Sequence, residues 1–176
     1  MSDDPHDARF EKIIRSATVC FLVRNEEILL ARKTKHIGAG CWNGYGGEIE
    51  AGESPLDAAV RELREESGGV TADPTDLIKI AENDFHNTKA DGSTFITNVH
   101  FFIVRHWTGT PCETDEMRSP TWFRVCDLPL DEMMPADRLW LPVALGGKRV
   151  IGRFSYGPRQ QTLLDEGEFR IVEHLD

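Results

Sequence analysis

The chain has 176 residues, 40% of them hydrophobic, and a formal net charge of −10. That length supports one domain with a real core, and no break in composition argues for two. The acidic balance counts against nonspecific binding to DNA, RNA or an anionic membrane, all of which reward a basic surface.

Residues 1–14 read as a short acidic N-terminal extension, and residues 15–176 as a single domain. The first ten residues hold neither a basic n-region nor an apolar run, so neither a secretory signal nor a membrane span is expected. A cytoplasmic location follows as the expectation. Cys20, Cys41, Cys112 and Cys126 follow no C-x-x-C spacing, which favours reduced thiols over disulfides or a zinc site.

Residues 17–23 and 28–31 are β-branched and apolar around a polar break, the pattern of a hairpin. Arg32-Lys33-Thr34-Lys35 is the densest run of cations, suited either to solubility or to a phosphate or base contact. Gly38, Gly40, Gly44, Gly46 and Gly47 then surround Trp42-Asn43. In such a loop the backbone turns tightly or comes close to a ligand.

Ser54 before Pro55, with Asp57 three residues after the serine, predicts a helix start. The helix stops at Gly68-Gly69. Leu56, Ala59, Val60 and Leu63 repeat at the spacing that buries one face. Glu62, Glu65 and Glu66 are expected to converge on the other face, pointing outward, with Arg61 pairing to Asp57 and Glu65. Alone, such a run reads as a solvated, salt-bridged surface. With several carboxylates, no His or Cys nearby and a glycine-rich approach, it also suits a hard ion, Mg²⁺ before Zn²⁺.

Beyond the helix, strands are expected over residues 79–85 and 97–104, with a polar loop over 87–93 between them. A shorter strand follows at 121–125, then a helix at 137–145 containing Pro142, and late strands at 150–156 and 169–172. A few helices packed on a mixed sheet is the architecture implied.

The pattern G-x5-E-x7-R-E-L-x-E-E-x-G falls on Gly47, Glu53, Arg61, Glu62, Leu63, Glu65, Glu66 and Gly68, and it resembles the signature of the Nudix hydrolases. Gly69 stands where that family has an aliphatic residue, with Val70 one place on, a departure that bears on the helix exit. The resemblance implies an α/β/α sandwich with a mixed sheet and metal-dependent hydrolysis of a pyrophosphate bond. It further implies Mg²⁺, with Mn²⁺ as a substitute, and a monomer acting on a small nucleotide rather than on nucleic acid or membrane.

From about Thr18 to Asp165 the likeness extends to the branch of the family that hydrolyses oxidised purine nucleoside triphosphates such as 8-oxo-dGTP and 2-oxo-dATP. It is carried by residues 38–47, Asp115-Glu116-Met117 before Trp122-Phe123, and residues 133–137 with Trp140. Carried over, the carbonyl of Gly46 with Glu62, Glu65, Glu66 and Glu116 holds the metal, while Glu53 and Arg61 support the glutamates. Thr18, Lys33, Asn43, Tyr45, Phe85, Met134, Asp137 and Trp140 make the base pocket. In that branch a lysine stands at Glu48, a base-stacking tryptophan at Met134, and the first of two adjacent aspartates at Ala136. Alternatives are a Nudix hydrolase of a dinucleotide, nucleotide sugar or capped RNA end, and a nucleotide-binding module without turnover.

Overall fold

The computed structural model describes residues 14–176. The expected extension over residues 1–14 lies outside them apart from Ile14, which opens the first strand. β1 (Ile14–Arg24) and β2 (Glu27–Lys33) form the expected hairpin, with Val23 opposite Ile28 and Arg24 opposite Glu27. Asn25 takes the left-handed conformation, φ 51°, that so tight a turn requires.

There follow β3 (Trp42–Asn43), α1 (Pro55–Glu66), β4 (Leu77–Thr88), β5 (Thr94–Val104), β6 (Met117–Arg124), α2 (Asp137–Leu145), β7 (Arg149–Pro158) and β8 (Glu168–Val172). Neighbouring strands run in the order β3-β2-β1-β5-β4-β7-β8, with β6 also paired to β2. β1 is parallel to β5 and β4 to β7, whereas the other pairings are antiparallel, so the sheet is mixed.

β1 is apolar on both sides because both of its faces are covered. Cys20 and Leu22 join Ala59 and Leu63 of α1 in one core. Phe21 and Val23 point the other way and join Trp140, Leu141 and Ala144 of α2 in a second core. The result is a three-layer α/β/α arrangement with the sheet in the middle.

Among the boundaries that differ from the sequence reading, two have a local cause, and α2 keeps the expected span. The loop expected over 87–93 shrinks to residues 89–93, because Asn87 pairs with Phe95 and Thr88 with Thr94. Asn87 tolerates its buried strand position because its amide donates to the Phe85 carbonyl and the Thr97 hydroxyl. β6 begins at Met117, ahead of Pro120, and a register shift against β2 between Leu30 and Arg32 accommodates the irregular stretch. α2 runs straight through Pro142, and the Gly146 N–H returns to the Pro142 carbonyl at 3.0 Å.

The helix exit departs from the family pattern and still delivers its core residue. Gly68 and Gly69 both take positive φ, 76° and 121°, and Val70 behind them is fully buried. A side chain at Gly68 would also meet the Cys112 sulfur at 2.3 Å.

Candidate active site

The start of α1 is fixed locally. Ser54 accepts the Asp57 N–H at 3.1 Å, and its hydroxyl donates to the Asp57 carboxylate at 2.7 Å. Asp57 is thereby committed, and the expected Arg61–Asp57 pair does not form. Arg61 turns instead to Glu53, gripping both carboxylate oxygens through Nε at 2.8 Å and Nη2 at 2.9 Å. The same guanidinium donates to Glu62 at 2.6 Å, to Glu65 at 3.5 Å and to the Glu48 carbonyl at 3.0 Å. One planar fork with several donors thus ties the incoming loop to the helix. The Arg61 contact, with a hydrogen bond from the Glu50 N–H, holds the Glu53 carboxyl down at about 2.

The three helix glutamates do not share an outward face. Glu66 follows Ala59 and Leu63 at i+7 and i+3, on the buried stripe, and is only 6% exposed. The Glu62 side chain is 14% exposed, and only Glu65, at 60%, faces solvent. The expectation that all three point away from the core is corrected on that ground. Burial pushes the Glu66 carboxyl up to about 7, against the pull of the Gly46 N–H and Lys33, while the charges of Glu62 and Glu116 raise it further. Glu62 is raised in the same way, by burial first.

Residues 44–48 lie as an extra strand along β1. Tyr45 and Cys20 exchange both backbone hydrogen bonds, and the Thr18 N–H donates to the Gly47 carbonyl at 2.9 Å. A Cβ on Gly44 would come within 2.4 Å of the Cys20 carbonyl, and one on Gly46 within 1.8 Å of the Thr18 carbonyl. Gly47 is packed against the Glu62 carboxyl, 2.6 Å from where its Cβ would lie. These glycines therefore serve close approach, whereas Gly38 and Gly40, at φ 86° and 88°, serve the turn. The Gly46 N–H donates to Glu66 at 2.8 Å, which joins the loop to the helix glutamates.

Glu116 arrives from the segment before β6, held by the Thr34 N–H on its carbonyl at 2.9 Å and by Lys35 at 3.7 Å on its carboxylate. Its charge acts on both Glu62 and Glu66. Among the described residues no three His, Cys, Asp or Glu side chains form a ready metal cage. Oxygen donors alone, with the charges of Glu62 and Glu116 both acting on Glu66, suit a hard ion completed by water and substrate phosphate.

The residues expected around the base divide between the two faces of the sheet. Tyr45 packs in the α1-side core, and Thr18 shares the parity of Cys20 and Leu22 on β1. Phe85, Met134 and Trp140 belong to the α2-side core. There Phe85 stacks on Phe154 and Tyr156, and Trp140 meets Phe101 at 4.4 Å between ring centroids. Asp137, at the first turn of α2, is buried, and burial pushes its carboxyl up to about 7. Lys33, Asn43 and Met134 meet around Gly38, each with an atom within 4 Å of where its Cβ would be. The sequence reading missed Arg32, which donates to the Gly40 carbonyl at 2.7 Å and stacks on Trp42. Its place in the cation run was the only signal.

The NUDIX domain family matches residues 14–143 of the chain. An oxidized purine nucleoside triphosphate hydrolase of Danio rerio is 39% identical over 157 residues, covering 89% of this chain and 90% of that protein. The Mus musculus protein of the same name is 37% identical over 150 residues, covering 85% and 91%. In fold, the MutT protein of Bacillus halodurans superposes with a TM-score of 0.71 at 24% identity, covering 92% of this chain and 99% of that one. Such a match across most of the length, with the glutamate helix in place, means that the chain belongs to the Nudix hydrolases, enzymes that use divalent metal ions and act on small nucleotides.

Proposed function

We propose that this enzyme hydrolyses oxidised purine nucleoside triphosphates, 8-oxo-dGTP foremost, to the monophosphate and pyrophosphate, as a cytoplasmic monomer using Mg²⁺ or Mn²⁺. The observation that carries the reading is the run from Asn43 to Gly46. Asn43 lies beside Gly38 and Met134 on the apolar side, and Gly46 is hydrogen-bonded to Glu66 on the carboxylate side. Three residues of extended chain span about 10 Å at most, so a base and its phosphates can be held at once by the two ends of one short segment.

Gly46 through its carbonyl, with Glu62, Glu65, Glu66 and Glu116, would hold the ion, which neutralises phosphate oxygens and makes a bound water more acidic. Lys33 adds a positive charge near Glu66. Glu53 and Arg61 fix the distance between loop and helix and are positioning residues. Phe85, Met134 and Trp140 supply apolar surface for a purine, and Asn43 and Asp137 supply polar partners for its edge. Thr18 and Tyr45 act by holding the 44–48 segment against β1.

The test is a panel of normal and oxidised nucleoside triphosphates, with dinucleotides, nucleotide sugars and a capped RNA, assayed with Mg²⁺ by chromatography of the products. The expected result is highest kcat/KM for an oxidised purine triphosphate, with monophosphate and pyrophosphate formed one to one. A clear preference for a dinucleotide or a nucleotide sugar would overturn it. Tight nucleotide binding without any product would leave a binding module.

A further inference from the structure

On the α2 side of the sheet, one row of paired positions is built from small residues. β1, β5, β4 and β7 set Ala17, Val99, Asn83 and Gly152 side by side. The rows that flank it carry Phe101 on one side and Phe85 with Phe154 on the other. Side chains in neighbouring rows of one face stand as walls and floor, so the small row forms a trough. Its Ala17 end is half-exposed, with the half-exposed Trp42, Phe85 and Met134 also packed on this core, while its Gly152 end is closed.

Asn83 lies in that trough, wholly buried, and neither its Oδ1 nor its Nδ2 has a hydrogen-bond partner. A Cβ on Gly152 would fall 2.7 Å from Oδ1 and 2.6 Å from the Phe154 ring, so the glycine is what lets the amide and that ring lie side by side. Two orphaned amide atoms among aromatic rings weaken the fold, since each loses its water and gains nothing in return. A ligand that brings its own donor and acceptor offsets that loss.

We propose that Asn83 is a specificity-determining residue that hydrogen-bonds the polar edge of the purine base at the floor of this trough. The inference rests on the nucleotide reading above and deepens it. An amide presents a donor and an acceptor side by side, which matches the adjacent acceptor and donor groups along a purine edge. A base lacking that pair would leave the amide buried and unpaired, which is the stronger route to discrimination.

The experiment compares wild type with Asn83→Leu and Asn83→Ala in kcat and KM for 8-oxo-dGTP, and in thermal melting with and without 8-oxo-dGMP. Asn83→Leu should melt at or above the wild-type temperature, because two orphaned atoms leave the core. Its KM for 8-oxo-dGTP should rise about ten- to a hundredfold, more than kcat falls, and the shift of melting temperature by 8-oxo-dGMP should shrink. Should Asn83→Leu fail to fold, Asn83→Ala decides, since it needs no extra room. Unchanged KM and an unchanged ligand shift in a folded variant would overturn the assignment and leave the nucleotide reading standing. A wild type inactive on every purine triphosphate would bring down that reading itself.

Discussion

Arg32 and Glu132, 100 residues apart in sequence, form a hydrogen-bonded ion pair that joins the glycine loop to the segment leading into α2. The same guanidinium stacks 4.4 Å over the Trp42 ring and donates to the Gly40 carbonyl at 2.7 Å. Two stretches that bring Asn43 and Met134 together around Gly38 are thereby held in register. Both partners are partly exposed, so the pair is worth at most about 1 kcal/mol to the fold. Its effect should fall on binding instead.

Arg32→Leu and Glu132→Gln should each raise KM for the nucleotide severalfold and move the melting temperature little. In a double-mutant cycle the two losses should not add. Arg32→Lys should fail to restore the wild-type value, because an ammonium cannot stack on Trp42 and grip two acceptors in one plane. Additive losses would mean that the two residues act separately.

Glu66→Gln and Glu65→Gln should both lower kcat by about two powers of ten or more, the scale of losing one preorganised electrostatic group. They should differ in stability. Glu66 is buried with its carboxyl pushed up to about 7, whereas Glu65 is mostly exposed. In metal-free protein at pH 8, Glu66→Gln should therefore melt higher than wild type and Glu65→Gln the same as wild type. Turnover unaffected by either change would reduce the glutamates to a solvated helix surface.

The metal-free enzyme should be more stable at pH 5 than at pH 8. Burial raises Glu66 from 4.5 and Asp137 from 3.8, each to about 7. Between those values the folded state binds more protons than the unfolded one, so stability falls as pH rises, by up to roughly 1.4 kcal/mol per pH unit for each group. Above about pH 7 the dependence flattens. Glu53, held down at about 2, acts in the opposite sense, and its contribution disappears as pH falls from 4.5 toward 2. Melting curves in chelator across this range should show the slope, with Asp137→Asn and Glu66→Gln each removing part of it.

Activity should require Mg²⁺ or Mn²⁺, and Ca²⁺ should support it poorly, because its longer and looser coordination misplaces the attacking water. With Glu66 as a ligand, as proposed, metal has to displace its proton, so affinity for the ion should climb as pH approaches about 7 and level off above it. Calorimetric titration at several pH values, with the count of protons released, measures this directly. Full turnover in chelator would remove the metal from the reaction.

Much of this arrangement was legible from periodicity and punctuation. The Ser54 cap, the apolar stripe through Ala59 and Leu63 and the Gly68 stop placed the helix to within a residue. Glu66 departs from the outward face that its charge predicts, because its i+7 spacing from Ala59 puts it on the buried stripe. Thr18 and Tyr45 were grouped with Phe85 for a different reason. Which face a strand residue takes depends on alternation and on which strands pair, and the parallel pairing of β1 with β5 is a long-range contact that no local pattern announces. Arg61 was expected to reach Asp57 along the helix, and the competing capping bond from Ser54 decided otherwise.

Base selection should be narrower than in the oxidised-purine branch that this chain resembles. Ala136 is fully buried, and its N–H donates to the Tyr156 hydroxyl at 3.0 Å, so the position where that branch has its first aspartate offers only a methyl group. Asp137 has no adjacent carboxyl with which to exchange a proton, and its own is raised by burial to about 7. At pH 8, above that value, the acid is mainly ionised and presents acceptors to the base edge, and a mismatched base then leaves buried polar groups unpaired. Met134 in place of a stacking tryptophan forgoes about 1 to 3 kcal/mol of stacking and returns roughly 0.3 to 1.5 kcal/mol through sulfur contact. The polar edge therefore decides more of the outcome than stacking does. Under one set of conditions kcat/KM for 8-oxo-dGTP should exceed that for 2-oxo-dATP by about tenfold or more, and Ala136→Asp should narrow the gap by restoring two carboxyls that share a proton. Equal values for the two substrates in the wild type would show that Asp137 does not choose the base.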